Sequence, residues 1–329
     1  MSEYRHSDQA INKATVIIPC FNVEAYIHEC LNSVALQGAS VHHTYVVDNN
    51  STDNTVKNIL SWCEANPNFS LTLLFEPKPG APAARNAPLD RVETKWIQFL
   101  DADDLLLPGK IAEQIRKFPG ANVICAGFQR VSIRGEKTAA HLTHNTPLAL
   151  MQGTAGITSS NLFSTKSVQS VKGWDESLKS SQEYDLMFRI WQTGVAFEVD
   201  LTPRALVRER QSGQITQRNP AEKWLQFVRV RMKMLRVFEA HQTLNAAELS
   251  EAHQVFFNQL LILADHDIYA AKDIFFKILH PLGFQPKGAG MRGLVNVLLF
   301  RTMGFSLSIK LKHLISRCRR MLTNPDSTA

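Results

Sequence analysis

Residues 99–104 read "FLDADD": an apolar run, "WIQFL", ends in three carboxylates within four positions, Asp101, Asp103 and Asp104. Acids this close repel one another and resist burial, so a chain keeps them where water solvates a turn or where a cation neutralises them. A divalent metal carried by a diphosphate needs few protein ligands, because water and phosphate oxygens fill the other positions. One Asp-X-Asp pair at the end of a strand can hold such a metal against a departing phosphate group. The chemistry this suggests is nucleotide-dependent group transfer. A second polar cluster, "DNNSTD", supplies Asp48 and Asp53, which matter to that chemistry only if the chain folds the two clusters together.

The elements that would do so alternate. "ATVIIPCFN" is a β-branched run stopped at Pro19 and reads as a buried parallel strand. Residues 23–37 place Ala25, Ile27, Leu31, Val34 and Ala35 at near-helical spacing. "HTYVVDNN" is a second strand, and "STDNTVKNILSWCEAN" a capped helix with Val56, Ile59, Leu60 and Cys63 on one face. "LTLLFEP" is a third strand, "KPGAPAARNAPLDRV" a Pro/Gly-punctuated loop with a short helix, and "KWIQFLDADD" a fourth strand. Such alternation predicts an α/β fold, a mainly parallel sheet sandwiched by helices, with ligands beyond the carboxyl ends of the strands. "CFN", "DNNSTD" and "DADD" then converge on one edge, where accumulated charge favours a cation over simple solvation. Further strands are expected in "NVICAGFQRVSI", "EKTAAHLT", "ITSSNLFST", "VAFEVD" and "RALVRER", and helices in "NTPLALMQG" and "SSQEYDLMFRIWQTG". From residue 220 the pattern turns helical. The expected divisions are a tail over 1–13, an α/β domain over 14–219, a helical C-terminal region over 220–286 and a basic amphipathic segment over 287–329.

Composition narrows the classes. With 329 residues, 44% hydrophobic and 20% charged, the chain suits one large soluble domain or two smaller ones. The excess of 36 basic over 30 acidic residues, a net charge of +6, permits an anionic partner without choosing among nucleotide, nucleic acid and membrane. The five cysteines, Cys20, Cys30, Cys63, Cys125 and Cys318, form no CxxC pair, which argues against a disulfide framework or a zinc site. The polar start and the absence of any 18-residue apolar window make secretion and membrane spanning unexpected and the cytoplasm the expected location.

Five blocks stand in a telling order: "ATVIIPCFNVEAYIHECLNSVALQ", "VVDNNSTDNT", "GAPAARNAPLD", "FLDADDLLLPGKI" and "VKGWDESLKSSQEYDLMFRIWQTG". Over roughly residues 14 to 217 the sequence resembles a family 2 glycosyltransferase with the GT-A (Rossmann-like) fold. The resemblance implies an inverting transfer of a sugar from a nucleotide diphosphosugar, commonly a UDP-sugar, to a hydroxyl of a glycan or lipid-linked saccharide, as in cell-surface polysaccharide synthesis. It implies a divalent metal, Mn or Mg, and no nucleic-acid partner. It places Phe21 and Asp48 at the nucleobase, Arg85 near the nucleotide, and Asp101 toward the ribose or donor. It makes Asp103 the surest metal ligand beside Asp101, with Asp104 as a structural cap. The family's general base falls on Glu183, with Gln182 where the family has a preceding acid and Asp185 as second candidate. Trp174 lies on the acceptor side, either stacked on a sugar or packed in the core. "RERQSGQITQR" resembles a basic segment that closes over the pyrophosphate, through Arg208, Arg210 or Arg218. Asn49 and Asn50 stand where the family often carries acids. Two alternatives remain: a non-catalytic nucleotide-sugar-binding scaffold, and a nucleotidyltransferase, against which the missing Gly-rich basic loop after the first strand counts.

Toward the C-terminus, Leu311, Leu314, Ile315, Cys318 and Leu322 trace one helical face and Lys310, His313, Arg317 and Arg320 another. Such a helix suits the surface of an anionic bilayer, which would make the protein peripheral on the inner face of the plasma membrane, or else packs on the catalytic domain.

Overall fold

Strand and helix alternate through the first half of the chain as β1 (Ala14–Cys20), α1 (Ile27–Ala35), β2 (Val41–Asp48), α2 (Thr55–Ala65), β3 (Leu71–Phe75), α3 (Ala81–Asn86) and β4 (Trp96–Phe99). The computed structural model describes residues 12–144, 146–209 and 219–288, together with 297, 298, 300–305, 307, 308 and 311. After β4 come β5 (Leu105–Leu106), α4 (Lys110–Lys117), β6 (Val123–Val131), β7 (Lys137–Ala139), α5 (Thr146–Gln152), β8 (Leu162–Ser164), α6 (Thr165–Ser170), α7 (Gln182–Trp191) and β9 (Phe197–Arg208). The sheet runs β3-β2-β1-β4-β8-β6-β9-β5, with β7 paired to β6. Its first four strands are parallel, so their carboxyl ends share one edge. Beyond β4 the sheet is mixed, with β8 antiparallel to both neighbours and β9 parallel to β6.

One face of the sheet carries the main core. Val16, Ile18 and Cys20 of β1 pack with Ile27, Leu31 and Val34 of α1, Ile59 and Trp62 of α2, and Ile111 and Ile115 of α4. Each such buried aliphatic or aromatic side chain contributes about 1.5–3 kcal/mol. Two local expectations change. In α2 the buried face is Thr55, Ile59 and Trp62, and Leu60 is exposed. The Trp62 indole N–H donates to Asn32 Oδ1 at 2.7 Å, and that anchored ring sets which face turns inward. "VAFEVD" and "RALVRER" form one strand, β9, whose register shifts against β6 around Gly127. A Cβ at Gly127 would lie 2.8 Å from the Leu201 carbonyl oxygen, so only glycine admits this approach.

The chain divides into two compact units after Gln214. In the second, α8 (Pro220–Ala240) starts with Pro at its first turn behind Asn219, and α9 (Ala246–Ala264) carries a capping box between Asn245 and Glu248. These helices and α10 (Ile268–Ile278) bury aromatic side chains, with the Phe275 and Phe305 rings stacked 4.4 Å apart. No helix among the described residues is long and apolar enough to cross a membrane. The amphipathic pattern beyond Leu311 and residues 1–11 of the expected tail lie outside the described residues.

Candidate active site

The loops after β1 and β2 are laced together. Asn22 N–H donates to Ser51 Oγ (3.1 Å), Val23 N–H to Thr55 Oγ1 (2.8 Å) and Glu24 N–H to Asp53 Oδ2 (3.1 Å). In return Thr52 N–H donates to Asn22 Oδ1 and Asn54 N–H to Glu24 Oε2, each at 2.8 Å. Asn22 and Asn50 both take positive φ, which their short side chains tolerate. Asp53 is committed to this lacing: burial alone would push its carboxyl up, but hydrogen bonds from Thr55 and Glu24 outweigh that and hold it below the usual range.

The lacing leaves Asp48 with an opening. It is 5% exposed, its Oδ2 accepts the Ser51 N–H at 3.3 Å, and its Oδ1 is buried with no hydrogen-bond partner among the described residues. Phe21, 42% exposed, follows directly on β1. Cys20 at the end of β1 pairs in parallel with Asp48 at the end of β2, and on the other side of β1 the Leu100 N–H donates to the Ile17 carbonyl at 3.0 Å just before Asp101, so both acidic clusters follow strands that flank β1. The convergence expected of the strand ends is therefore present.

Arg85, expected near the nucleotide, is only 5% exposed. Its Nη2 donates to Asp101 Oδ1 at 2.6 Å and its Nη1 to Gln182 Oε1 at 3.1 Å, and the guanidinium lies 4.5 Å from the centre of the Trp174 ring. One cation thus ties the acidic turn after β4 to the first residue of α7. Trp174 is 2% exposed and meets Phe99 edge-on at 5.1 Å. Of its two expected places, acceptor side or core, this burial and the contact under Arg85 favour the core.

Asp101 and Asp103 are half-buried on either side of Ala102. Among the described residues no group of three or more His, Cys, Asp or Glu side chains gathers into a metal cage. The pair fits a cation that brings its own phosphate and water ligands, with Asp101 keeping Oδ2 beyond the Arg85 contact. Asp104 does more than cap the turn: Ser159 Oγ donates to its Oδ2 at 2.6 Å and Arg208 N–H to its Oδ1 at 3.3 Å. Burial, then the charges of Asp101 and Asp103, push its carboxyl well above the ordinary range.

Opposite this turn, the two candidate bases separate. Glu183, in the first turn of α7, is half-buried, and among the described residues no hydrogen bond or ion pair engages its side chain. Asp185 is 3% exposed, and its Oδ2 accepts Arg189 Nε at 2.7 Å. Arg189 in turn donates to the carbonyls of Val171 and Gly173 at 2.7 and 2.8 Å. Asp185, the second candidate base, is thus buried and already paired within its own helix. Arg208 also departs from a free phosphate ligand, since it donates to Glu29 and to the Asp103 carbonyl and lies over Tyr26. Arg210 and Arg218 lie outside the described residues.

Two asparagines, Asn49 and Asn86, take structural roles that their sequence positions do not announce. Asn49 donates at 2.7 Å to the carbonyls of Glu76 and Lys78 and accepts the Gly80 N–H at 2.7 Å, clamping the loop before α3. A carboxylate there has no hydrogens to donate, so the change from acid to amide has a structural reason. Asn86 likewise brackets Trp174, accepting its N–H and donating to its carbonyl at 2.8 and 2.9 Å.

Residues 15–178 match the sequence model described as Glycosyl transferase family 2. Among curated proteins, the chain is 33% identical over 119 residues to a teichoic acid poly(glycerol phosphate) polymerase of Staphylococcus epidermidis, a match spanning 35% of this chain and 16% of that protein. It is 22% identical over 208 residues to the hyaluronan synthase of Pasteurella multocida, over 57% of this chain and 20% of that one. The match thus spans a fifth or less of either relative. Among solved structures, S. aureus TarS 1-349 in complex with UDP-GlcNAc aligns with a TM-score of 0.55 at 19% identity, over 77% of this chain and 73% of that one. The mannosyltransferase PcManGT from Pyrobaculum calidifontis, in complex with GDP-Man and Mn2+, aligns at 0.53 and 17% identity, over 92% and 87%. At such identity the likeness speaks for the GT-A fold alone.

Proposed function

The chain belongs to glycosyl transferase family 2 through residues 15–178, and on that premise we propose that it transfers a sugar from a UDP-sugar to a hydroxyl of a glycan or lipid-linked saccharide. The observation that carries this reading is the single unpartnered oxygen of Asp48. A buried acceptor without a donor costs free energy until a ligand supplies one. With Oδ2 already taken by Ser51, one N–H is wanted, which suits the N3–H of uracil. Guanine, which offers two adjacent N–H groups to a carboxylate, would leave one of them short.

In this reading Phe21 flanks the base, and Asp101 and Asp103 hold a divalent metal, Mn or Mg, which when bound neutralises charge on the diphosphate. Glu183 takes the proton of the acceptor hydroxyl as its oxygen bonds to the anomeric carbon, and the bond from that carbon to the diphosphate oxygen breaks. Attack from the side opposite the diphosphate inverts the anomeric centre. Arg85 keeps Asp101 and the start of α7 in register. The names of the relatives support an acceptor in cell-surface polysaccharide synthesis, and the cytoplasmic side of the membrane, where nucleotide sugars are available, is the proposed place of action.

The test is thermal-shift screening of UDP- and GDP-sugars with Mn, followed by transfer assays with the donors that stabilise. UDP-sugars should stabilise and turn over. Stabilisation without turnover on any acceptor would favour the non-catalytic scaffold, and preference for GDP-sugars would overturn the reading of Asp48. Salt-sensitive flotation with anionic liposomes, lost on truncation after Gly290, is expected if the C-terminal segment docks on a membrane.

A further inference from the structure

We propose that Ser159 and Asp104 are positioning residues that set the geometry of the Asp101–Asp103 turn from behind. The Ser159 hydroxyl is wholly buried, accepts the Asp101 N–H at 3.2 Å and donates to Asp104 Oδ2 at 2.6 Å. The Asp104 N–H closes the turn onto the Asp101 carbonyl at 2.9 Å. Asp104 Oδ1 receives the Arg208 N–H, and the same arginine's Nε donates to the Asp103 carbonyl. The backbone of both Asp101 and Asp103 is thereby tied, while the two residues stay half-buried.

Ser159 can do this because its own loop is pinned. Asn161 accepts the Ala126 N–H and donates to the Ala155 carbonyl, both at 2.9 Å, and Tyr184 Oη donates to the Gly156 carbonyl at 2.9 Å. Gly156 has φ +76°, and a Cβ there would lie 2.1 Å from Asn161 Oδ1, so the loop closes only around glycine. Behind Ser159, Gln98 Nε2 donates to its carbonyl at 3.1 Å, and the buried Lys110 ammonium donates to Gln98 Oε1 and, at 2.8 Å, to Gln114 Oε1. Three adjacent carboxylates left to themselves would splay apart. A fixed hydroxyl and a tethered backbone oppose that spread, as partners behind metal ligands commonly do.

The inference rests on the reading that Asp101 and Asp103 hold the donor's metal, and the experiment separates the two. Mn2+ binding to the full chain with UDP is followed by the electron paramagnetic resonance signal of free Mn2+, beside calorimetry of UDP without metal and thermal melting. Ser159→Ala should weaken Mn2+ binding about tenfold or more and leave metal-free UDP affinity unchanged, and Ser159→Thr, which keeps the hydroxyl, should recover binding. Asp104→Asn, nearly isosteric, should show the same loss and stands in if Ser159→Ala does not fold. Wild-type Mn2+ affinity in both Ser159→Ala and Asp104→Asn, with loss in Asp103→Ala, sinks the positioning role and leaves the donor reading intact. Equal loss of Mn2+ and metal-free UDP binding in Ser159→Ala would mark a merely structural residue and also sink it. Wild-type Mn2+ affinity in Asp103→Ala overturns both.

Discussion

Asp200 and Asp48 are both buried aspartates on strands of one sheet, and they are treated in opposite ways. Asp200 Oδ1 accepts Lys117 Nζ at 3.1 Å and the Thr202 N–H at 3.3 Å, and its Oδ2 accepts Arg204 Nε at 2.7 Å. Arg204 continues to Glu113, so the cluster closes on itself. Asp48 receives one backbone N–H and keeps a buried oxygen with no donor among the described residues. The same division recurs within one turn of α7, where Asp185 is locked to Arg189 and no described residue engages the Glu183 side chain. A carboxylate whose partners all come from the chain fastens the fold. One left without such partners is, in the function proposed above, a ligand's partner.

This division can be broken at either end. The largest effect is expected at Glu183→Gln, where transfer at saturating donor should fall by about a thousandfold, roughly 4 kcal/mol of barrier, with the melting temperature unchanged. Ordinary turnover in that variant would remove Glu183 as the base. Asp200→Asn should do the converse and cost about 3 kcal/mol of stability in denaturant titrations, with specific activity of the folded fraction retained. Its pH dependence has a definite sign. Burial pushes the Asp200 carboxyl up, but hydrogen bonds from Arg204 and Lys117 outweigh it and hold the group below its ordinary value. The stabilisation is therefore complete above about pH 4 and is lost as pH falls through the folded value, so the gap to Asp200→Asn should close in acid.

Asp48→Asn comes next. It should weaken UDP binding by about 1.5–3 kcal/mol in calorimetry, while melting shifts little, since the lost contact is made only by the ligand. A large loss of stability without ligand would place Asp48 with Asp200. The smallest effect is expected from Asp185→Asn, about 1 kcal/mol of stability and transfer within about tenfold of wild type, because Arg189 keeps its two carbonyl partners. A collapse of activity as deep as that of Glu183→Gln would return Asp185 to the catalytic candidates.

Much of this was legible in the chain itself. The alternation of "ATVIIPC", "TYVVD", "LTLLF" and "WIQF" with helical stretches was enough to put "DNNSTD" and "DADD" on one edge, because parallel strands joined by helices end together. Which polar residue does what was less legible. Asn49, Asn86 and Ser159 have no periodicity and no charge to mark them, and their roles depend on carbonyls and amides tens of residues away. Trp174 read as a sugar platform or, more often for a tryptophan, a core residue, and the position of Arg85 above it adds weight to the core.

The sequence by itself determined the strand order's raw material, the acidic cluster after β4 and the family's motif order, since all of these are local in the chain. Tertiary structure alone decided which carboxylates are satisfied. Asp101 and Gln182 share Arg85 across a separation of 81 residues, and Asp104 meets Arg208 across 104. Partner counts of that kind are a property of packing. A sequence can place an acid at the edge of a sheet, but whether its last oxygen meets an arginine of the same chain or no donor among its neighbours depends on elements that meet only when the sheet has closed.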